Sequence, residues 1–592
     1  TSPDTAIPRG KLRVTLVEAR GLNVTSQAAQ PYVVCTFEAS EFITHGPESV
    51  DNPNQNHLAV PGNQFRNTSS AKPIQTKPAY LRQASTQNLA TNNLNACASG
   101  ANPSWQHQTT FDVLAANAEL VISLYDANAD HQFMGHVRIT PQTITDDRKS
   151  HAAWLQLEPR VMGESVSGQI KVRWQFMTTG KRHYGPEDFE VLRLLGKGTF
   201  GQVFQVRKTD TDRIYAMKVL SKKVIVRKKE VAHTIGERNI LVRTASASSF
   251  IVGLKFSFQT PLDLYLVTDY MSGGELFWHL QKEGRFAEDR AKFYIAELVL
   301  ALEHLHDNDI VYRDLKPENI LLDANGHIAL CDFGLSKANL ASNGTTNTFC
   351  GTTEYLAPEV LLDESGYTKM VDFWSLGVLI FEMCCGWSPF YAENTQQMYK
   401  NIAFGKVRFP KEVLSAEGRS FVKGLLNRNP KHRLGATDDA RELRAHPFFH
   451  DIDWTLLREK RIPPPFKPHL ASELDTSNFD PEFTQTSASV INNQFHLATT
   501  PLSPGLQANF SGFTYVDDSA MDDHFHSSSN FNSHRKIQNS FRAPGSFIPG
   551  NPNLPPDEDA TIDEDESNNG HLMDIDEDHN MDDDEFGGQF DL

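Results

Sequence analysis

Polar and apolar residues alternate along Lys11–Val17, and Pro31–Phe37 is rich in β-branched and aromatic residues. A period of two places one face of a strand in a core and the other in water. The same signature returns at Thr109–Val113, Glu119–Tyr125, Gly135–Ile139 and Gly168–Phe176, so residues 9–178 predict an antiparallel β-sandwich of short strands. Residues 45–103 break the pattern. Asn, Gln, Ser, Thr and Pro dominate there and no period survives, which predicts a long mobile insertion.

The pattern changes at Asp188. Strand-like runs continue to about Asp269, and helical periods then dominate, with long apolar faces at 287–306, 370–385 and 415–428. A small β-rich lobe followed by a larger helical lobe is expected over 189–449, a bilobal α+β domain. Residues 450–516 hold isolated aromatic anchors and predict an extension wrapped on a folded body. Residues 517–592 are poor in apolar side chains and predict a disordered tail.

Charge sharpens this division. The 592 residues carry a net charge of −18. The segment 517–592 has 20 acidic residues opposed only by Arg535, Lys536 and Arg542, so the body is nearly neutral. A basic nucleic-acid binder is a poor reading, and no nucleic-acid partner is expected. Six scattered cysteines without a Cys-x-x-Cys pair make neither a disulfide framework nor a zinc site. A reducing, cytoplasmic setting is expected. The most apolar run, Phe373–Cys385, is too short to span a bilayer and contains Glu382. The chain opens on Thr1 rather than Met, so a fragment or a processed protein is expected.

Chemistry enters with a glycine-rich turn. Gly196, Lys197, Gly198, Thr199, Phe200, Gly201 and Val203 follow the strand-like Phe189–Leu195. Glycines let backbone amides approach phosphate oxygens without a Cβ in the way. A strand rather than a helix follows, which argues against a dinucleotide fold. Ala216-Met-Lys218 lies on the next strand, flanked by apolar residues that point the lysine inward. Glu237, in the helical stretch Val231–Val242, is its expected partner while the lysine holds α/β-phosphates.

Tyr312-Arg-Asp-Leu-Lys-Pro-Glu-Asn319 then carries a base, a cation and a metal ligand within eight residues. Asp314 can deprotonate an acceptor hydroxyl, Lys316 can neutralise a transferring phosphoryl group, and Asn319 and Asp332 can ligate Mg²⁺. Ala357-Pro-Glu359 closes the segment, with Arg433 as the expected buried partner of Glu359.

At these motifs the sequence resembles the protein kinases, over Phe189 to Phe449. ATP and Mg²⁺ are the implied cofactors. Lys316 is typical of the Ser/Thr branch. Cys350–Glu359, Ile462-Pro-Pro-Pro-Phe-Lys-Pro468, Asn478-Phe479-Asp480 and Phe510-Ser-Gly-Phe-Thr-Tyr515 resemble the AGC kinases and their C-terminal extension. The resemblance implies that Thr268, Asp269 and Met271 border the adenine with Phe479 beside it. It implies that Glu275 meets the ribose and an upstream substrate arginine, with Glu318 and Glu382 in the same groove. Protein substrates bearing arginines before the acceptor are expected, because guanidinium pairs bidentately with carboxylate.

Activation is implied to require phosphorylation of Thr348, read by Arg313 with Lys337 and His233, and of Thr514, with Thr500 and Ser503 as further phosphosites. The resemblance names the upstream partners as a phosphoinositide-dependent-type kinase at Thr348 and a TOR complex at the tail, within nutrient signalling. The basic run Lys222–Lys229 is expected to find the tail phosphates while Phe510 and Phe513 dock on the small lobe.

Residues 9–178 resemble C2 domains at Pro31-Tyr-Val-Val, Asn102-Pro-Ser-Trp105 and Glu119–Asp126. Calcium binders of that family use several aspartates in two loops. Only Asp126 and Asp130 remain here, so no calcium dependence is expected. A membrane contact, a protein contact and a spacer role stay open for this module. The nucleus and an endomembrane such as the vacuole are implied as further locations. The contrasting reading is an interaction protein built on a kinase fold. It sits poorly with retention of the base and both metal ligands.

Overall fold

The computed structural model describes residues 10–26, 28–44, 46–47, 100–114, 118–141, 149–179, 184–198, 200–244, 248–338, 351–362, 366–410, 412–486 and 500–516. Thr199, Thr348 and the segment 517–592 therefore lie outside the described residues, as does most of the insertion.

Eight strands build the N-terminal sandwich: β1 (Gly10–Arg20), β2 (Pro31–Phe37), β3 (Ser40–Ile43), β4 (Ser104–Val113), β5 (Leu120–Asp126), β6 (Gln132–Ile139), β7 (His151–Gln156) and β8 (Gln169–Thr178). They form two antiparallel sheets, ordered β4-β1-β8-β7 and β3-β2-β5-β6. Leu12, Val14 and Leu16 of β1 are buried against the other sheet's Val33, Cys35, Phe37, Ile122 and Leu124. The alternation in the sequence is this inward face.

Two strands escaped individual notice. β3 is four residues long and turns a glutamate inward. β7 is an edge strand with two alanines and little alternation. The insertion also ends earlier than its composition implies. Ala101 O and Pro103 O accept hydrogen bonds from Leu22 N at 3.0 Å and Ala19 N at 2.9 Å, so residues 100–103 belong to the sandwich.

The small lobe is a sheet of β9 (Phe189–Lys197), β10 (Gly201–Lys208), β11 (Ile214–Ser221), β12 (Leu254–Gln259) and β13 (Asp263–Asp269). Helices α1 (Lys222–Arg227) and α2 (Val231–Thr244) pack on it. The chain then passes through a hinge into the strand pair partners β14 (Gly274–Glu275), β15 (Ile320–Leu322) and β16 (Ile328–Leu330). The large lobe adds α3 (Leu276–Glu283), α4 (Glu288–Asp307), α5 (Pro358–Leu362), α6 (Met370–Cys385), α7 (Thr395–Phe404), α8 (Ala416–Leu425) and α9 (Asp439–Arg444). Every residue of α6 except Glu382 is buried, which explains its run of apolar residues. Such a helix is the core of its lobe, and its buried Asp372 needs partners.

The extension clasps both lobes. Phe466 lies under the Arg290 guanidinium at 3.7 Å, and Phe479 stacks on hinge residue Tyr270 with centroids 5.7 Å apart. A Cβ on Gly274 (φ 73°) would meet Asn478 O at 2.1 Å, so only glycine lets the extension cross there. A last strand, β17 (Tyr515–Val516), pairs antiparallel with β12 and makes the small-lobe sheet six-stranded.

Glu359 and Arg433 form a buried bidentate pair, with N–O distances of 2.6 and 2.8 Å. The guanidinium also donates to Met370 O at 2.8 Å and Asn427 O at 2.9 Å, which ties α5 to α6 and the loop after α8. Removing one partner of such a pair strands the other charge. Arg433→Ala should therefore cost about 3–5 kcal/mol in denaturant unfolding. Arg433→Lys, which loses the planar fork, should recover only part of it.

Candidate active site

The cleft between the lobes collects the predicted groups. β9 and β10 form the hairpin that carries the glycine turn, with Gly198 N donating to Gly201 O at 2.9 Å. A Cβ on Gly201 would sit 1.8 Å from Val219 O, so this glycine is needed for close strand packing. A Cβ on Gly196 would meet nothing within 4 Å, which leaves that backbone open toward the cleft. Val203 and Ala216 join Leu195, Tyr270 and Phe479 in one apolar cluster. Thr268 is the penultimate residue of β13 with its hydroxyl 3.4 Å from Ala216 O, Asp269 ends the strand and Met271 follows in the hinge, both buried.

Lys218 Nζ is 2.7 Å from Glu237 Oε1 and 3.1 Å from Asp332 Oδ1. Burial alone would push the ammonium pKa down. Asp332 and Glu237 reverse this and hold it charged, well above the usual lysine range. Lys218 in turn lowers the Asp332 carboxyl. Lys218 projects from β11, Glu237 from α2, and Asp332 follows β16, so one cation ties three elements together.

The catalytic loop is built on strain and buried anchors. Arg313 (φ 69°) and Asp332 (φ 53°) occupy the left-handed region, which costs about 1–3 kcal/mol each for residues other than glycine. Asp372 of α6 offsets this from below: its carboxylate accepts from Tyr312 N at 2.9 Å and Arg313 N at 2.8 Å. Asp314 is thereby presented to the cleft. It accepts from Asn319 Nδ2 at 2.8 Å, lies 3.0 Å from Lys316 Nζ, and accepts from Thr352 Oγ1 at 3.2 Å. Lys316 also donates to Thr352 at 2.9 Å.

Because Asn319 spends its amide nitrogen on Asp314, its amide oxygen faces away as an acceptor. Asp332 keeps one carboxylate oxygen clear of Lys218, and its side chain is 48% exposed. Two hard oxygen donors beside the Lys218 ammonium suit a divalent cation. Among the described residues no group of three His, Cys, Asp or Glu side chains gathers as a metal cluster.

A second acidic group lines the cleft mouth. Burial, then Glu318 and Asp480, push Glu275 up to about 7. Burial also raises Glu318 and Glu382, with Glu354 adding to both. Tyr355 OH donates to Glu382. Glu354, Thr352 and Asp372 were not singled out from sequence. Glu354 and Thr352 sit beside the recognised Ala357-Pro-Glu359, and a lone aspartate inside the apolar α6 was an available signal.

The tail docks as expected, with one correction. Phe510 and Phe513 are buried in the main hydrophobic core, and their carbonyls accept from Gln259 Nε2 at 2.9 Å and Ser257 Oγ at 2.7 Å. Lys222 does not present its charge to tail phosphosites. It is 2% exposed, donates to Gln507 at 2.7 Å and Gln259 at 2.8 Å, and lies 5.2 Å over the Phe510 ring. Lys223, Arg227, Lys228 and Lys229 stay exposed. Thr500 and Thr514 are exposed and Ser503 is half-buried at the start of a helical turn. His233 pairs with Glu230, while Arg313 donates to Leu335 O at 2.6 Å and Tyr367 OH at 3.2 Å.

The C2-like loop aspartate Asp126 is a structural cap. Its carboxylate accepts from Gln30 N at 2.9 Å and Asn128 N at 3.0 Å.

Comparison with known families agrees with this geometry. The protein kinase domain family matches residues 189–449, the protein kinase C terminal domain family 470–515, and the C2 domain family 10–54 and 80–157. The chain belongs to the AGC family of Ser/Thr protein kinases, with an N-terminal C2 domain. Serine/threonine-protein kinase SCH9 of Candida albicans is 65% identical over 610 residues, covering 99% of this chain and 75% of that protein. SCH9 of Saccharomyces cerevisiae is 61% identical over 659 residues, covering 100% and 79%. Sck1 of Schizosaccharomyces pombe is 57% identical over 532 residues, covering 87% and 74%. A protein kinase domain uses ATP, a divalent cation and protein substrates.

One buried titration should be visible in stability. His306 at the end of α4 lies 2.9 Å from both Asp372 and Asp439. Burial lowers its pKa, but hydrogen bonds donated by the imidazole to these two carboxylates outweigh burial and raise it to about 9. A folded-state pKa above the unfolded one adds stability that is complete below about pH 6.5 and lost as pH rises through about 9. Denaturation midpoints should fall across that window in the native chain, and the His306-specific part of the slope should vanish in His306→Gln.

Proposed function

We propose that this kinase transfers the ATP γ-phosphate to Ser or Thr in proteins that carry arginines before the acceptor. The observation that carries this reading is the set of four carboxylates, Glu275, Glu318, Glu354 and Glu382, around the mouth of the cleft beside Asp314. Burial raises Glu275, Glu318 and Glu382, and neighbouring carboxylates add to each rise, so added positive charge at this mouth would be favourable. A guanidinium supplies it bidentately.

In the transfer step the acceptor hydroxyl approaches Asp314, which orients it and takes its proton as the oxygen bonds to the γ-phosphorus. The bond from that phosphorus to the β,γ-bridging oxygen breaks, and ADP leaves. Lys316 balances charge on the transferring group, and Lys218 holds the α- and β-phosphates in place. Asn319 and Asp332 would hold Mg²⁺, which supplies positive charge to the phosphates. Asp269 and Met271 border the adenine through their backbone, under the roof that Phe479 helps to close.

Regulation follows the same geometry. Phosphate on Thr348 would bring nearly two negative charges toward Arg313 and Lys337 and order the segment before Ala357. Phosphate on Thr514, with Thr500 and Ser503 as lesser sites, would favour the docked state of Phe510 and Phe513. Exposed Lys223, Arg227, Lys228 and Lys229 offer the nearby cations. A phosphoinositide-dependent-type kinase and a TOR complex fit as the upstream enzymes, in nutrient-dependent growth signalling.

Two measurements test the reading. Labelled phosphate should pass to a peptide with arginines three and five residues before a serine, and Lys218→Met and Thr348→Ala should each abolish most of the transfer. No transfer from protein carrying phosphate on Thr348 and Thr514 would overturn it. The pH profile adds a sign. Substrate arginine favours ionised Glu275, so peptide KM should fall as pH rises through about 7 and then level off. A lysine- and arginine-free peptide should show no such step.

A further inference from the structure

The C2 domain is not a distant appendage. Its β2–β3 hairpin reaches both lobes and the hinge with buried groups. Glu41 of β3 accepts from Ser272 Oγ at 2.5 Å and from Ala324 N at 2.6 Å. Ser272 directly follows the hinge residue Met271, and Ala324 lies in the turn between β15 and β16. The backbone of the same hairpin holds the small lobe. Glu41 O accepts from Arg213 at 3.0 Å, and Glu38 O accepts from Lys255 at 2.7 Å. Lys255 in turn pairs with the hinge residue Asp269 at 3.3 Å.

Neighbouring contacts stiffen this bridge. Lys208 of the small lobe is fully buried and lies 3.0 Å from Asp112 of β4, whose other oxygen accepts from Tyr215 OH at 2.8 Å. On the large-lobe side Tyr32, Val34, Ile43 and Tyr125 pack around Ala324. Tyr125 OH donates to Asn325 at 2.9 Å. Charged and polar groups buried at both ends of one short hairpin resist sliding, because each displaced group would lose a partner without regaining water.

We propose that this hairpin is a strut behind the hinge, and that Glu41 is a positioning residue for nucleotide binding. A kinase lobe pair opens and closes by changes at a few hinge residues. Glu41 holds Ser272 to the large lobe while Glu38 and Arg213 hold the small lobe to the same hairpin. The backbone of Asp269 and Met271 is thereby kept at the spacing that accepts the adenine. Lys218 contacts both Glu237 and Asp332 with the sandwich docked, so the docked state is the binding-competent one.

The test uses the full chain and ADP with Mg²⁺ as the probe, which makes it independent of any choice of peptide. Loss of one buried hydrogen-bond acceptor that serves two donors should weaken ADP binding about tenfold in Glu41→Ala. In turnover, ATP KM should rise with kcat changed much less. Ser272→Ala should weaken ADP binding in the same sense, and the double variant should be less than the product of the two. Amide exchange should quicken at 268–274.

Unchanged ADP affinity with only a lower melting temperature would overturn the proposal, as would strictly multiplicative effects of the two substitutions. Faster turnover would overturn it by making the sandwich an inhibitor. Should Glu41→Ala fail to fold, Glu41→Gln keeps the volume and one acceptor oxygen. It must then weaken ADP binding by a smaller factor, and no weakening would refute the strut.

Discussion

The contact between Lys218 and Glu237 is the constraint on which the rest of the kinase depends. A lysine placed to meet phosphates must stay charged while it is largely taken out of water, and a fixed anion offsets that cost. Glu237 supplies the anion but sits on α2, an element with little apolar periodicity to hold it against β11. The helix must therefore be placed by its neighbours. Phe510 and Phe513 do this from the tail side, where they join the core that also takes in Ile240 and Leu241 of α2. Asp332 completes the contact from the large lobe, so closure of the cleft and placement of the lysine are one event.

The catalytic loop shows the complementary arrangement, in which strain is held by buried charge. Arg313 and Asp332 hold unfavourable backbone, and Asp372 beneath Arg313, with its partner His306, is buried in the large lobe. An aspartate inside an otherwise apolar helix is costly unless each oxygen is satisfied. Asp372 meets that condition with two backbone amides of the loop and one imidazole. The result is a rigid platform on which Asp314, Lys316 and Asn319 share hydrogen bonds before any substrate arrives.

Much of this was legible in the sequence, for identifiable reasons. Strands with one buried face alternate, so β1 and β8 were readable, β2 and β5 showed as apolar β-forming runs buried on both faces, and α4 and α6 announced themselves by apolar length. Lys218, Glu237, Asp314, Asn319 and Asp332 were found because phosphate chemistry restricts both residue type and spacing. The pairing of Glu359 with Arg433 as a buried partner was anticipated too. What stayed hidden was contact between distant segments of the chain. Glu41 and Ser272 are separated by more than two hundred residues, and nothing local marks either. Lys222 misled because its charge was expected to meet the tail phosphates, whereas its stem and ammonium are taken up by Phe510, Gln259 and Gln507.

The central claim is that tail docking acts through the Lys218–Glu237 contact rather than beside it. A double-mutant cycle on transfer rate tests it most directly, with Glu237→Gln, the pair Phe510→Ala and Phe513→Ala, and their combination, all in protein of equal phosphorylation. The account predicts strong non-additivity: once Glu237 cannot pair with Lys218, loss of both phenylalanines should change kcat/KM little further. Effects that multiply independently would contradict it and place the tail's influence elsewhere in the small lobe.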